Sequence, residues 1–496
     1  MPADAPWIVW TVVLPLLAAP VAFVLGRRGL APFAAASSLG VAASVAALAW
    51  QVAAQGVQRH RLGGWGAPLG IELHADGLSV LMLVMTAVTG VVVSLHAHGT
   101  FGLGGHETRE PSGRARFWPL WLFLWGGLNA VFLSADLFNL FVSLELVTLS
   151  AVALVALAAT RVAVAAALQY LLAAMLGSLL YLLGVALVYA TEGTLSLDEL
   201  ARGAPHASVA PPALALLTIG LALKTALFPL HFWLPPAHAN APTPVSALLS
   251  GLVVKASFYV LWRLWFQAFP GVAPFEASML LAVLGTGAIV WGSVQALQAT
   301  RLKSLVAYST VAQLGYLFLV FPLVGGPGGL AAWQACAVFA VSHAFAKAAF
   351  FMAAGNIRLA AGHDRIADLD GIGARLPRSF FAVGLASVAL MGLPPSGTFV
   401  AKWMMMRAAL ESGQAWLMVV MLLGGLFSAG YCFRVLARAF TPPTDTPLQP
   451  VPGSLDAAAL ALAVIALATG LFVAPALDLL AIGAPDVAGL GQDGPR

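Results

Sequence analysis

The chain has 496 residues, of which 60% are hydrophobic and only 9% charged, against roughly a quarter charged in a soluble domain, so a water-soluble globular protein is excluded. Its formal net charge of +4 sits mostly in short loops, where basic residues set membrane topology, and gives no sign of nucleic-acid binding. Two cysteines, Cys336 and Cys432, each lie inside an apolar block, which leaves neither a disulfide framework nor the spacing of an iron–sulfur or haem site.

Apolar blocks of helix length, cut at Gly, Pro and charged clusters, fall near 7–27, 32–54, 77–98, 117–133, 136–158, 163–190, 211–234, 243–267, 276–298, 301–322, 329–357, 379–410, 414–440 and 455–482. About 20 apolar residues span a bilayer as a helix, and the blocks lack the ten-residue alternation of a barrel. The fold class expected is therefore all-α and polytopic, with fourteen spans. Residues 1–6 carry no basic n-region, so the first block reads as helix one and not as a signal peptide. Histidines offer no metal spacing: His96 and His98 are two apart and do not share a helical face, while His74 and His106 fall in loops. No metal and no cofactor is expected.

Basic residues orient the chain. Loops after odd-numbered spans hold fourteen cations: Arg27, Arg28, Arg109, Arg114, Arg116, Arg161, Arg301, Lys303, Arg358, Arg365, Arg375, Arg378, Arg434 and Arg438. The opposite side holds six, namely Arg59, Arg61, Arg202, Arg263, Arg407 and Arg496, which predicts both termini outside.

Four cations remain, and all are lysines inside apolar blocks: Lys224, Lys255, Lys347 and Lys402. The chain has nineteen Arg and only five Lys. Arginine keeps its charge under nearly all conditions, whereas a desolvated lysine exchanges its proton near neutral pH. A mid-membrane charge costs at least about 2.5–3.5 kcal/mol, so it marks a functional position. Among the acidic residues Glu145 alone sits deep in a span, with Asp136 at the start of that helix, which makes Glu145 the expected counter-ion. Two spans are interrupted beside a lysine: Pro229, Pro235 and Pro236 follow Lys224, and Pro394 and Pro395 precede Lys402. Proline frees a carbonyl, and such breaks are tolerated where the backbone is buried in protein or lines a cavity. His343 and Lys347, four apart, share one helical face and suggest a proton relay. Tyr308, Ser309 and Gln313 are placed to order water nearby.

Five segments carry a family resemblance: DLFNLFVSLEL, LKTALFPLHFWLPPAHANAPTPVSALLSGLVVKASFYVLWR, RLKSLVAYSTVAQLGY, HAFAKAAFFMAAGNI and GLPPSGTFVAKW. Together they resemble the core motifs of the antiporter-like proton-channel subunits of respiratory complex I, membrane-bound hydrogenases and Mrp-type cation/proton antiporters. The resemblance covers roughly residues 75 to 440. It implies N-terminal helices over 1–116, two inverted five-helix repeats over 117–270 and 271–440, and a last helix with a short tail over 441–496. Carried over, Glu145 matches the family's fifth-helix glutamate, Lys224 the broken seventh-helix lysine and Lys255 the eighth-helix lysine. Lys347 with His343 matches the eleventh-helix connection, and Lys402 the broken twelfth-helix residue. Gln169 stands where relatives often have a sixth-helix lysine.

The function implied is proton translocation within a multisubunit complex of a bacterial inner membrane, most like the D subunit of an Mrp-type Na⁺(K⁺)/H⁺ antiporter. The alternative is a proton-pumping membrane-arm subunit of a complex I-like oxidoreductase or hydrogenase. The implied partners are other membrane subunits, the lipid bilayer, protons and Na⁺ or K⁺. A standalone solute carrier would need a substrate pocket, whereas the polar groups are strung along five or more helices. A membrane-embedded enzyme would need a catalytic motif that the sequence lacks.

Overall fold

The computed structural model describes residues 6–25, 29–68, 70–102, 111–203, 208–442 and 447–486. Arg27, Arg28, His106, Arg109 and Arg496, and the side chain of Arg114, lie outside the described residues. The chain runs through α1 (Trp7–Leu25), α2 (Leu30–Gln55), a hairpin of β1 (Gln58–Arg61) and β2 (Glu72–Ala75), α3 (Gly77–Gly102), α4 (Pro111–Leu133), α5 (Leu137–Ala156) and α6 (Arg161–Glu192). It continues through α7 (Ala210–Thr225), α8 (Leu234–Asn240), α9 (Thr243–Ala268), α10 (Phe275–Gln298), α11 (Leu302–Val324) and α12 (Gly329–Ala361). The last elements are α13 (Pro377–Met391), α14 (Gly397–Glu411), α15 (Ala415–Leu436) and α16 (Gly453–Leu471), followed by the short α17 (Val473–Ala481).

Among the described residues, eleven helices are long and apolar enough to cross a membrane. The other three predicted spans coincide with α4, with α7 and the interruption that follows it, and with the interrupted pair α13–α14, while α8 begins only at the predicted end, 234. The hairpin has no counterpart among the predicted elements. It pairs antiparallel, Gln58 with Ala75 through Arg61 with Glu72, between α2 and α3.

The helices sort by burial. The apolar windows of α9 and α12 are wholly buried, whereas those of α1, α15 and α16 are only 33% buried. The helices carrying Lys255 and Lys347 therefore form the axis, α11 and α3 lie largely buried beside them, and much of the apolar surface of α1, α15 and α16 is exposed. With lipid as apolar as leucine, helices associate through close backbone approach. Gly177 on α6 meets Gly220 on α7, and Gly285 on α10 meets Gly315 on α11, so closely that a methyl group at any of the four would collide with the facing backbone.

One clasp ties the hairpin to the axis. Asp76, just before α3, pairs with Arg263 near the end of α9 (Nη1–Oδ2 2.6 Å), and Arg263 also donates to Ser79 Oγ (3.0 Å), Tyr259 OH (3.0 Å) and Gln267 Oε1 (2.8 Å). Arg263 is thus a buried structural cation, where the sequence suggested a topological one at a helix end. Burial pushes the Asp76 carboxyl up, but the Arg263 charge and hydrogen bonds from His74 and Arg263 outweigh it and hold the group well below the usual carboxylate range.

A carboxylate held low in the folded state stabilises above its ordinary range, near pH 4, and that contribution is lost as pH falls toward the folded value. Arg263→Met leaves the Asp76 charge buried and unpaired, a cost of about 3–5 kcal/mol above pH 4. The double variant Asp76→Leu/Arg263→Met should recover most of it. Thermal unfolding of the four proteins in detergent checks this, and a double variant as unstable as the single one contradicts it.

Candidate functional site

At the first interruption, α7 ends on Lys224 and Thr225 because Ala226 turns into the left-handed region (φ 61°) and Pro229 cannot supply a backbone donor. The Leu223 carbonyl, which takes the Ala226 amide at 3.2 Å, also accepts from the Trp233 indole (2.9 Å), which closes the gap before α8. Lys224 Nζ donates to Glu145 Oε1 on α5 (2.9 Å) and to Thr148 Oγ1 one turn on (3.1 Å), while Ser178 of α6 donates to the same carboxylate oxygen. Lys224 is buried, but the Glu145 side chain is 26% exposed. Its neighbours on that face, Phe138, Val142 and Leu149, are exposed apolar residues. The carboxylate therefore lies at the lateral surface of the bundle.

The next lysine is built into a helix irregularity. In α9 the turn Leu249–Val253 is π-helical, a form common at functional sites, and Lys255 bends back to donate to the Ser250 carbonyl within it. Ser250 Oγ in turn meets Thr310 Oγ1 on α11 (2.8 Å). Beside Thr310, Ser309 accepts from Lys347 of α12, which also donates to the Val306 carbonyl (3.2 Å). A hydroxyl pair thus joins the surroundings of Lys255 and Lys347. His343, one turn before Lys347, is wholly buried, and neither ring nitrogen has a protein hydrogen-bond partner.

At the second interruption, α13 ends at Met391 on a left-handed Gly392 (φ 78°) and α14 restarts at Ser396, whose side chain accepts from the Phe399 amide (3.2 Å). The carbonyls freed at the end of α13 are each taken up: Ala389 by Thr398 Oγ1, Leu390 by Gln313 Nε2 (3.0 Å) and Met391 by Lys402 Nζ (3.3 Å). Lys402 also lies over the Tyr316 ring at 4.2 Å from its centre, a geometry that favours a cation.

Two residues of this axis escape a reading of the sequence. Lys303, read as a loop cation beside Arg301, is wholly buried at the start of α11 and donates to the Ala241 carbonyl (2.6 Å), so all five lysines of the chain are buried. His238 on α8 is also wholly buried, makes no well-aligned ring hydrogen bond, and lies within electrostatic reach of Lys255, Lys303 and Lys347. Residue type offered one usable signal, since Lys is so scarce in this chain that the fifth one invites the reading given to the other four. Beyond Ala241 a cavity of about 510 Å³ is lined by Asn240, Arg301, Arg358 and Gln449. Gln169 sits apart from these groups at the exposed face of α6, its amide reaching only the Phe232 carbonyl (3.5 Å).

The electrostatics divide the axis. Lys224 has a carboxylate partner, whereas Lys255, Lys347 and Lys402 are held by neutral oxygens and, among the described residues, by no acidic side chain. Their charge can change without breaking an ion pair. Among the described residues no group of three His, Cys, Asp or Glu is placed to hold a metal ion.

Fold and site together define a multi-pass membrane protein with an internal file of ionisable side chains. The chain belongs to the NADH:quinone oxidoreductase/Mrp antiporter transmembrane family, whose profile matches residues 134–428. It is 32% identical over 441 residues to the N subunit of the NADH-quinone oxidoreductase of Desulforudis audaxviator, covering 86% of this chain and 85% of that one. It is 27% identical to the D subunit of the Na(+)/H(+) antiporter of Bacillus subtilis, covering 82% and 80%. A chain in the solved Mrp complex from a Dietzia species superposes with a TM-score of 0.87 at 26% identity, covering 99% of this chain and 100% of that one.

Gly392 ties the second break to its lysine. A methyl group there would sit 2.8 Å from Lys402 Cδ and 3.1 Å from its Nζ, on a backbone at φ 78°. Gly392→Ala should cost about 1–2 kcal/mol for the left-handed conformation and displace Lys402 from the Met391 carbonyl. Gly384→Ala, on α13 with open space around it, is the control. Comparing melting temperature and pH-gradient activity of the two variants checks this, and equal behaviour contradicts it.

Proposed function

We propose that this chain is the proton-translocating subunit of a multisubunit membrane complex, with Glu145, Lys224, Lys255, His343, Lys347 and Lys402 as its proton path. The observation that carries the reading is the file itself. Buried lysines are spaced along α7, α9, α12 and α14, and the steps between them are furnished with hydroxyl groups: Thr225 Oγ1 donates to Ser257 Oγ between α7 and α9 (3.0 Å), and Ser250 meets Thr310 between α9 and α11. Protons hop between such groups through water, and a lysine freed of its counter-ion is the natural stepping stone. Opening the Glu145–Lys224 pair would release the proton of Lys224 toward Lys255, which makes the pair the switch.

The halves follow from the same geometry. Each of the stretches 117–270 and 271–440 contains one helix broken beside a lysine, which supports two inverted repeats flanked by helices over 1–116 and 441–496. Counting α4 and each interrupted pair as one crossing gives fourteen. The cavity beside Asn240 and Arg301, with Lys303 and His238 beneath it, is a suitable mouth for proton uptake. The excess of cations on that face supports its being cytoplasmic with both termini outside, and the bacterial relatives support a bacterial plasma membrane.

A carboxylate facing hydrocarbon is costly, so the exposed side of Glu145 supports a neighbouring subunit lying against α5. This fits the relatives, which are subunits of an oxidoreductase and of an antiporter. The driving force we infer is exchange against Na⁺ or K⁺, as the name of the Bacillus relative describes for Na⁺. A redox-driven pump is the second reading, favoured by the 32% identity to an oxidoreductase subunit.

Lys224→Met and Glu145→Gln should each abolish coupled proton movement in inverted vesicles while the complex assembles at its usual level. Full activity in both variants would sink the assignment. The driver separates in the same vesicles: a pH change on adding Na⁺ or K⁺ without an electron donor indicates exchange, and one that requires donor and quinone indicates a pump.

A further inference from the structure

Between Lys347 and Lys402 lies a polar cluster that the lysine file alone does not account for. Gln313, on α11, is wholly buried. Its Nε2 donates to the Leu390 carbonyl (3.0 Å) and lies within hydrogen-bond distance of Ser428 Oγ (3.0 Å) and Tyr431 OH (3.3 Å) on α15. The carbonyl contact fixes the amide orientation, since the flipped amide would set oxygen against oxygen. The hydroxyl protons are already committed: Tyr431 donates to Ser428 Oγ (3.0 Å), and Ser428 to the Gly424 carbonyl (2.8 Å).

Gln313 Oε1 is left buried without a protein donor. Ser387, one turn before Leu390 on α13, is wholly buried too, and its Oγ lies beside the Cys432 thiol without a well-aligned hydrogen bond. Cys432 follows Ser428 by four residues on α15 and shares its face. It is within electrostatic reach of both Lys347 and Lys402. The two ring nitrogens of His343, also without protein partners, are in reach of the same two lysines. Buried polar atoms are nearly always paired with protein or with ordered water, and a buried water takes about three such partners. Gln313 Oε1, Ser387 Oγ and the His343 nitrogens are such atoms, and Gln313 stands one turn from Ser309, which receives Lys347, while its amide bonds the carbonyl next to that of Met391, which receives Lys402.

We propose that Gln313, Ser387, Tyr431 and Cys432 hold ordered water that relays protons between Lys347 and Lys402, with Gln313 as the positioning residue. The inference rests on the proton path proposed above and gives it a specific middle. An excess proton leaves the Lys347 ammonium for the nearest water, each water passes one proton on, and the last delivers one to a neutral Lys402. No covalent bond changes apart from the O–H and N–H bonds exchanged, and the waters then turn to reset the file. Gln313 never carries the proton. Its Oε1 accepts from the water and fixes which way it points, while the committed amide hydrogens hold the side chain in place. Cys432 remains a thiol throughout and marks the wet side of the cluster.

Two measurements on the assembled complex in liposomes test this. The first follows S–H to S–D exchange by infrared spectroscopy after transfer to D₂O, with Cys432 observed in a Cys336→Ala background and Cys336 in a Cys432→Ala background. Cys336 is equally buried and its Sγ faces the Leu317 carbonyl, so it serves as the dry reference. Cys432 should exchange at least about tenfold faster than Cys336; equal rates overturn the proposal. The second compares Gln313→Leu, which removes the acceptor, with Gln313→Glu, which retains it. Gln313→Leu should slow proton transport at least about tenfold, or about 1.4 kcal/mol in barrier, and Gln313→Glu should restore most of the rate. Should Gln313→Leu fail to assemble, Ser387→Ala with the exchange measurement decides: slowed Cys432 exchange supports the relay, and unchanged exchange overturns it. Lys347→Ala and Lys402→Ala separate the two levels. If both lysine variants transport normally, the proton path itself falls. If they stop transport while Gln313→Leu conducts normally and Cys432 is as shielded as Cys336, only the relay falls.

Discussion

A lysine ammonium in the hydrocarbon layer needs oxygen acceptors, and an intact α-helix has almost none to offer, because its carbonyls are consumed by its own amides. The irregularities of this bundle answer that need. The π-helical turn of α9 brings the Ser250 carbonyl to Lys255, the gap after α13 brings that of Met391 to Lys402, and the passage between α8 and α9 brings that of Ala241 to Lys303. Lys347, on an unbroken helix, borrows instead from α11, where Ser309 and the Val306 carbonyl receive it. Lys224 instead has the carboxylate of Glu145. Backbone breaks and lysine positions are therefore two views of one requirement.

The same requirement explains what could be read in the sequence. Apolar blocks marked the helices, since burial in lipid leaves little freedom in length or composition. Prolines beside Lys224 and Lys402 marked the two interruptions, because a missing amide donor is written in the residue type. The break at Lys255 was not legible: a π turn inside LSGLV uses ordinary residues and is set by tertiary packing. Lys303 and Arg263 were misplaced for a related reason, both lying near block ends, where a cation is usually topological. Only the fold reveals that Asp76 reaches Arg263 from the hairpin, and that the loop before α9 covers Lys303. His238 was passed over because its neighbours in sequence are prolines and alanines, while its lysine neighbours come from α9, α11 and α12.

Charge placement follows the chemistry of the two cations. Arginine stands where a charge is permanent and paired, as in the Asp76 clasp and the contact of Arg301 with Asp364 (2.9 Å). At the odd-loop face Arg438 and Thr441 hydrogen-bond to the half-buried Asp370, and these bonds hold its carboxyl below the usual range. Lys255, Lys347 and Lys402 occupy the interior, held by neutral oxygens, where the loss of a charge would break no ion pair among the described residues. The close glycine contacts of α6 with α7 and of α10 with α11 set how near these helices lie to one another.

The lateral exposure of Glu145 bears on how such a chain is made. Left alone in a bilayer after synthesis, it presents a carboxylate flanked by Phe138, Val142 and Leu149 to acyl chains, at a penalty of order 2.5–3.5 kcal/mol for an ionised group at mid-membrane. A subunit docking on α5, as proposed above, would remove that penalty and bias the chain toward its assembled form. An orphaned copy would then differ from an assembled one at the very ion pair proposed as the switch. If the pair is the switch proposed above, such a copy has no neighbour to hold Lys224 closed, and scarcity of orphans would spare the membrane an uncoupled leak.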